Sequence, residues 1–352
     1  MSASDFISWF ADLGLEDRPH VGGKGASLGE LRRGGIAVPP GFVVRTEAFE
    51  DFIAALERDT PVRARVEALA PGDLDAVTAC SKSLRASIER APFPEALREQ
   101  LLAAHARLLG AVPAAGAAVA VRSSATTEDA SDASFAGLQD TYLWIKTSEQ
   151  LFDAVRRCWG SLYSVESITY RRKLGFPEPG VAMAVVIQVM VDARTAGVMF
   201  TRSPTTGDRS VIAVEASWGL GSAVVGGEVT PDRWVMNKIT GEIRVRDISD
   251  KHAEHRPLAA GGVATESVPE KLRREPSLND AELGNLCVLA RRIEQHYGCP
   301  QDIEWAIDRH SGELLTLQSR PETVWAARDA QPRMAPAAAA HHHVLSLFRG
   351  QR

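Results

Sequence analysis

Cysteine is scarce in this chain. Cys80, Cys158, Cys287 and Cys299 are scattered over 352 residues, and no CxxC spacing occurs. That argues against structural zinc and against a disulfide framework, and leads us to expect buried free thiols in a reducing cytoplasm. A charge excess is missing too. The 40 basic and 45 acidic residues leave a net charge of −5, which gives no electrostatic case for wholesale binding to nucleic acid or an anionic membrane. Local basic pockets for phosphate stay open. No apolar run reaches the roughly 18 residues that a membrane-spanning helix needs. The opening Met1-Ser2-Ala3-Ser4-Asp5 lacks a basic segment leading into an apolar run, so no secretory signal is expected. No internal repeat is evident. What remains is 45% hydrophobic and 24% charged, an ordinary globular composition with room for two domains or one large multi-lobed one.

Along the chain, residues 1–50 read as strand, glycine loop, helix, turn and strand. Val21-Gly22-Gly23-Lys24-Gly25-Ala26-Ser27-Leu28 opens a helix through Arg33, Gly34-Gly35 ends it, and Val38-Pro39-Pro40-Gly41 turns into Phe42-Val43-Val44. Residues 46–112 carry helical periodicity at Phe49, Phe52, Ile53 and Leu56, and again at Leu97, Leu101 and Leu102. From 113 the character changes. Ala118–Val121 reads as a buried strand leading into a polar loop from Arg122 to Asp129. Thr141–Ile145 reads as a strand, Ser148–Tyr163 as a helix and Met183–Met190 as a central strand. Further strands are expected at 197–201 and 211–215. Glycines cluster at 219–227, and a last helix is expected over Asp280–Tyr297. After Trp325 the composition degrades into an alanine run with His341-His342-His343, read as a flexible tail over 327–352.

The most informative segment is a pair of apparent strands near the end. Asp302-Ile303-Glu304-Trp305-Ala306-Ile307 and Leu314-Leu315-Thr316-Leu317-Gln318-Ser319-Arg320 flank the turn-rich Asp308–Gly312. Alternate strand residues face the same way. One face therefore carries Asp302 and Glu304 with Gln318 and Arg320. The other carries Ile303, Trp305 and Ile307 with Leu315 and Leu317. Hard oxygen ligands beside an arginine suit a Mg–nucleotide triphosphate; a solvated hairpin face is the plainer alternative.

Other candidates are less specific. Lys24 in its glycine run sits where backbone amides and a helix start converge, a geometry that suits an anion. The run is not a GxxxxGK[ST] phosphate loop, and a plain helix start explains it equally well. Arg122, followed by Ser123-Ser124, is placed either for forked contact with phosphate or for pairing with Glu128 or Asp129. Gly137 in Phe135–Thr141 can hinge a cover over a phosphate chain, with Gln139 and Thr141 on one alternation, or form an ordinary turn. Gln188 is a polar residue in an apolar strand and needs a partner. The following Val189-Met190-Val191 can offer backbone groups to a purine, with Met190 packed on the base.

Taken in order, VGGKGASLGEL, VPPGFVV, VRSSATTED, SFAGLQDTYL, AGVMFTRSP, EASWGLGSAVVGGEVTPD, QDIEWA and LLTLQSRPET make the chain resemble the N-terminal nucleotide-binding domain of the phosphoenolpyruvate synthase and pyruvate phosphate dikinase family. Rifampin phosphotransferase and phenylphosphate synthase share that domain. The resemblance runs from about Val21 to Trp325. It implies an α+β ATP-grasp fold, two lobes with mixed or antiparallel sheets and flanking helices. The lobes expected are residues 1–189, with a helical insert at 46–112, and residues 190–326. It implies ATP and Mg²⁺ as cofactors. Lys24, Arg122 and Arg320 are the implied catalytic cations on the phosphates. Gln188 and Met190 line the adenine site, and Gly137 and Thr141 belong to the covering loop. Glu304 and Gln318 hold the metal, with Asp302 close by.

In that family ATP is cleaved to AMP and phosphate through a histidine on a swivelling domain, which then phosphorylates a small acceptor. No glycine-framed histidine of that type occurs here; His252, His255 and His310 lie in other contexts. The expectation is therefore a cytoplasmic ATP-binding catalytic subunit that phosphorylates a histidine on a separate protein or subunit. The final acceptor is a phenol-like compound, as in a phenylphosphate-synthase-like system, or pyruvate. Whether a phosphoryl or a pyrophosphoryl group moves stays open. A non-catalytic ATP-binding regulatory module is the alternative.

Overall fold

The computed structural model describes residues 5–112, 117–126, 129–130, 133–134 and 140–326. The expected tail and Gly137 lie outside them. The chain opens with β1 (Ile7–Trp9), α1 (Arg18–Arg33) and β2 (Gly41–Val44). Four helices follow: α2 (Thr46–Leu56), α3 (Val62–Glu67), α4 (Leu74–Arg90) and α5 (Glu95–Gly110). Then come β3 (Val119–Ala125), the short β4 (Asp129–Ala130) and β5 (Ala133–Ser134), and β6 (Thr141–Ile145). Next are α6 (Ser148–Ser161), α7 (Val165–Leu174), β7 (Met183–Val189), β8 (Ala193–Phe200) and β9 (Val211–Trp218). The one-turn α8 (Ser222–Val225) precedes β10 (Asp232–Asn237), β11 (Ile243–Asp247), β12 (Ala253–Pro257) and β13 (Val263–Ser267). The last elements are α9 (Glu270–Arg273), α10 (Asp280–Tyr297), β14 (Gln301–Asp308) and β15 (Leu314–Pro321).

Two antiparallel sheets organise this α+β chain. One has the order β1-β2-β7-β3-β6 and the other β11-β10-β9-β8-β14-β15. The apolar run at 183–190 is central, as expected, with β7 lying between β2 and β3. Strand alternation splits its side chains between two cores. Val185 and Ile187 join the helices of the 46–112 segment, where Phe52 and Phe93 pack around Trp159. Ala184 and Val186 face a second core shared with α1, α10 and the inner face of the six-stranded sheet, including Ile303, Trp305 and Ile307.

Local signals set several boundaries. In α10 the Asn279 side chain accepts the Glu282 amide at 2.9 Å while Glu282 accepts the Asn279 amide at 2.9 Å, and Gly298 at φ 69° ends the helix. Thr147 and Gln150 cap α6 in the same reciprocal way, but that helix stops at Ser161 rather than Tyr163. Two expectations are corrected. The supposed polar loop from Arg122 is strand through Ala125, because Ser123 and Ser124 find partners in the Asp140 carbonyl and the glycine run. Leu315 and Leu317 do not share the apolar face of the terminal hairpin. A bulge pairs Glu304 with Gln318 but Trp305 with Thr316, so the alternation of β15 slips by one at Leu317. Leu315 and Leu317 consequently pack with Ala306 in a third, smaller cluster. Among the described residues, no helix is long and apolar enough to cross a membrane.

Candidate functional site

The glycine run and β3 form one built unit. Gly22 takes φ 69° and ψ 177°, which breaks α1 and restarts it at Gly23. A Cβ on Gly22 would lie 2.2 Å from the Ser124 carbonyl oxygen, so only glycine fits there. The Ser124 hydroxyl donates to the Val21 carbonyl at 2.9 Å and accepts the Gly25 amide at 3.3 Å. Lys24 and Arg122 are thereby brought to the wall of one cavity of about 410 Å³.

Arg122 reaches across to the other sheet. Its guanidinium donates to Glu304 Oε2 at 2.9 Å, Gln318 Oε1 at 2.5 Å and the Leu317 carbonyl at 3.1 Å. The side chain is only 10% exposed, against 29% for Glu304. Such charge-assisted contacts in a partly buried setting are strong and directional. Glu128 and Asp129 are therefore not needed to explain Arg122. Its Nε is buried without a partner among the described residues.

The cavity has two chemically distinct ends. Lys24, Arg122, Glu304, Gln318 and Arg320 line one. The other is apolar: Ala193, Ala196, Leu220 and Ala306 pack with Met190 and Leu317. Gln188 sits in the wall at 3% exposure, and its buried Nε2 has no partner among the described residues. A buried amide left unpaired costs about 1–3 kcal/mol, so it marks a place for a hydrogen-bond acceptor. The amides of Val189 and Met190 are already donated, to Pro40 and Ala118, which removes them as purine donors. Thr141 lines the cavity opposite Arg122 in the register of β3 and β6. Trp144 takes φ 58° where β6 slips against β3, and it buries its ring in the apolar cluster.

Asp302 lines a smaller adjoining cavity of about 310 Å³ with Glu304, Gln318 and Arg320. Burial pushes its carboxyl up to about 6, held back by Arg320, whose Nε donates at 3.3 Å. The set Asp302, Glu304 and Gln318 offers only oxygen donors, the chemistry of a hard divalent cation. Among the described residues no group of three or more His, Cys, Asp or Glu forms a complete cage, so such a cation would draw further ligands from water and from a bound anion.

Sequence reasoning thus located Lys24, Arg122, Thr141, Gln188, Met190, Asp302, Glu304, Gln318 and Arg320, and the structure brings them to one place. It gave no role to Leu220, Ser222 and Val225, which also line the cavity. Their signals were the glycines at 219–227 and the EASWGLGSAVVGGEVTPD motif that contains them.

The cavity thus combines an apolar end, an unpaired amide and a cationic end beside carboxylates. Residues 18–341 match the family described as pyruvate phosphate dikinase, AMP/ATP-binding domain. The chain belongs to that family. It is 41% identical over 318 residues to a probable phosphoenolpyruvate synthase of Methanocaldococcus jannaschii, covering 90% of this chain and 27% of the relative. The same identity over 318 residues is found with a probable phosphoenolpyruvate synthase of Methanothermobacter thermautotrophicus, covering 90% of this chain and 46% of the relative. Identity to the phosphoenolpyruvate synthase of Pyrococcus furiosus is 36% over 356 residues, 90% of this chain and 44% of the relative. The chain therefore spans from about a quarter to just under half the length of these members of the family.

Proposed function

We propose that this chain is the ATP-binding catalytic part of a dikinase-type phosphotransferase with an ATP-grasp fold. In this reading residues 1–189, with the helices of 46–112 as an insert, form one lobe and residues 190–326 the other. The division falls between β7 and β8. One observation carries the proposal: Arg122 of one sheet meets Glu304 and Gln318 of the other inside a cavity with an apolar far end.

The adenine packs against Met190 and the leucines, and Gln188 Nε2 donates to a ring nitrogen. Lys24, Arg122 and Arg320 spread over the phosphates, with Thr141 on the cavity wall beside Arg122. Glu304 and Gln318, with Asp302 beside them, hold Mg²⁺, which supplies charge neutralisation on the phosphate oxygens. Phosphoryl transfer needs positioning and electrostatic stabilisation rather than covalent help from protein groups. A phosphoryl or pyrophosphoryl group passes from ATP to a histidine on a separate swivelling domain or subunit. In net terms ATP, the histidine and one water give AMP, free phosphate and the phosphohistidine, the water taking the second phosphoryl group, and the histidine then phosphorylates a small acceptor. The relatives' names favour pyruvate as that acceptor, and nothing in them supports a phenol-like one.

The test supplies ATP radiolabelled at the β-phosphate, Mg²⁺ and a separately expressed phospho-accepting histidine domain. Acid-labile label on that domain together with AMP is the expected result. Tight ATP binding without either product would leave a regulatory nucleotide binder and overturn the proposal.

Two further results are expected. Lys24→Ala should weaken MgATP binding about 10- to 100-fold, the worth of a charge-assisted contact to phosphate. Unchanged affinity by calorimetry would make Lys24 a structural residue. Second, cation-dependent ATP binding should weaken as the pH falls through about 6, where Asp302 takes a proton. The sign for stability is opposite. Because burial raises this carboxyl above its ordinary 3.8, its stabilising contribution is full below about pH 3.8 and is lost as the pH rises through about 6. Asp302→Asn should flatten both dependences, which titrations and denaturation curves over this range would read.

A further inference from the structure

A hydrogen-bonded chain beside the cavity joins Ser222 and Glu228 to a histidine distant from both in the sequence. The Ser222 hydroxyl lies 2.8 Å from His255 Nδ1, and His255 Nε2 lies 3.1 Å from Glu228 Oε2. His255 is 9% exposed, and Ser222 lines the cavity. The backbone reinforces the link: the Leu220 amide donates to the His255 carbonyl at 3.1 Å, and Gly219 bridges to His255 in parallel register. Gly219 holds φ 74°, and a Cβ there would lie 2.6 Å from that same carbonyl. The hairpin β12–β13 thus buttresses the glycine-rich segment through a single histidine.

The order of donors follows from elementary chemistry. An ionised glutamate only accepts, so in the neutral imidazole the proton sits on Nε2 and Nδ1 is an acceptor. The Ser222 hydroxyl then donates to Nδ1, and its oxygen has only lone pairs to offer a ligand. Its position narrows the partner. Leu220 belongs to the apolar end, whereas Val224 and Val225 line the adjoining cavity with Asp302 and Glu304. Ser222 stands between them in the chain and lines the main cavity, a position suited to the sugar that joins a base to its phosphates.

We propose that His255, oriented by Glu228, is a positioning residue that fixes Ser222 as a hydrogen-bond acceptor for a ribose hydroxyl of the nucleotide. This rests on the nucleotide reading of the cavity given above.

The full chain is titrated with MgATP, Mg-2′-deoxyATP and Mg-3′-deoxyATP. Ser222→Ala and His255→Ala should each weaken MgATP binding about 3- to 10-fold, the worth of one net hydrogen bond. The double variant should lose no more than either alone. His255→Asn places an amide where Nδ1 stood and should stay within about twofold of the unaltered chain. His255→Gln, which reaches only towards Glu228, should behave like His255→Ala. The losses should vanish with at least one deoxy nucleotide. Unchanged MgATP affinity in His255→Ala and His255→Gln would overturn the inference. So would equal losses on all three nucleotides, which would reduce His255 to a packing role. If the unaltered chain binds no ATP, the nucleotide reading itself falls.

Discussion

Glu304→Ala is expected to lower AMP formation at least about 100- to 1,000-fold, the usual cost of removing one electrostatic contact to the transition state. Two losses combine. The proposed cation would lose an oxygen donor next to Gln318, the partner of Glu304 in the hairpin register. Arg122, 10% exposed and with its Nε already unpartnered, loses its carboxylate. Glu304→Gln is the sharper variant, because it keeps the shape and an oxygen but removes the charge. It should lose nearly as much turnover while ATP still binds and the chain still melts cooperatively. Single-turnover AMP release, with circular dichroism as the control for folding, makes the measurement. Turnover like that of the unaltered chain in either variant would remove Glu304 from the reaction and, with it, the metal assignment.

The second large effect is on stability. Asp232 opens β10 with both carboxylate oxygens fully engaged. Oδ1 accepts Lys251 Nζ at 2.6 Å and the Ser249 amide at 2.9 Å; Oδ2 accepts the Ser277 amide and hydroxyl, each at 2.8 Å. Both charged side chains are completely buried. Asp232→Ala strands an ammonium in the interior and should cost about 3–5 kcal/mol. Lys251→Met should cost clearly less, because Asp232 keeps three neutral donors. Urea denaturation of both variants reads the difference. Equal costs, or a cost under about 1 kcal/mol for Asp232→Ala, would show that the pair contributes little to this fold.

Much of the site was legible because it rests on local rules. Alternation put Asp302 with Glu304 and Gln318 with Arg320, and the register bears that out. The last helix was expected over Asp280–Tyr297, and α10 has those bounds. What failed was non-local. The slip at Leu317 depends on how two strands meet, and nothing in the composition of β15 announces it. Arg122 read as loop because six of the seven residues after it are polar. It lies in a strand because Ser123 and Ser124 are satisfied by Asp140, Val21 and Gly25, partners that only the folded chain supplies. Ser222, His255 and Glu228 are 33 and 27 positions apart, too far for any spacing rule to join them. Asp232 and Lys251 escaped notice for the same reason.

The stitch made by Ser124 reaches beyond its own hydrogen bonds. Arg122 stands two positions before it on the same side of β3, and Lys24 sits between Val21 and Gly25, the two residues that it clasps. The two cations ride on a single rigid mount. Any swing of the glycine turn towards or away from the opposite sheet carries both charges together, so the grip on an anion tightens or loosens as a whole rather than finger by finger.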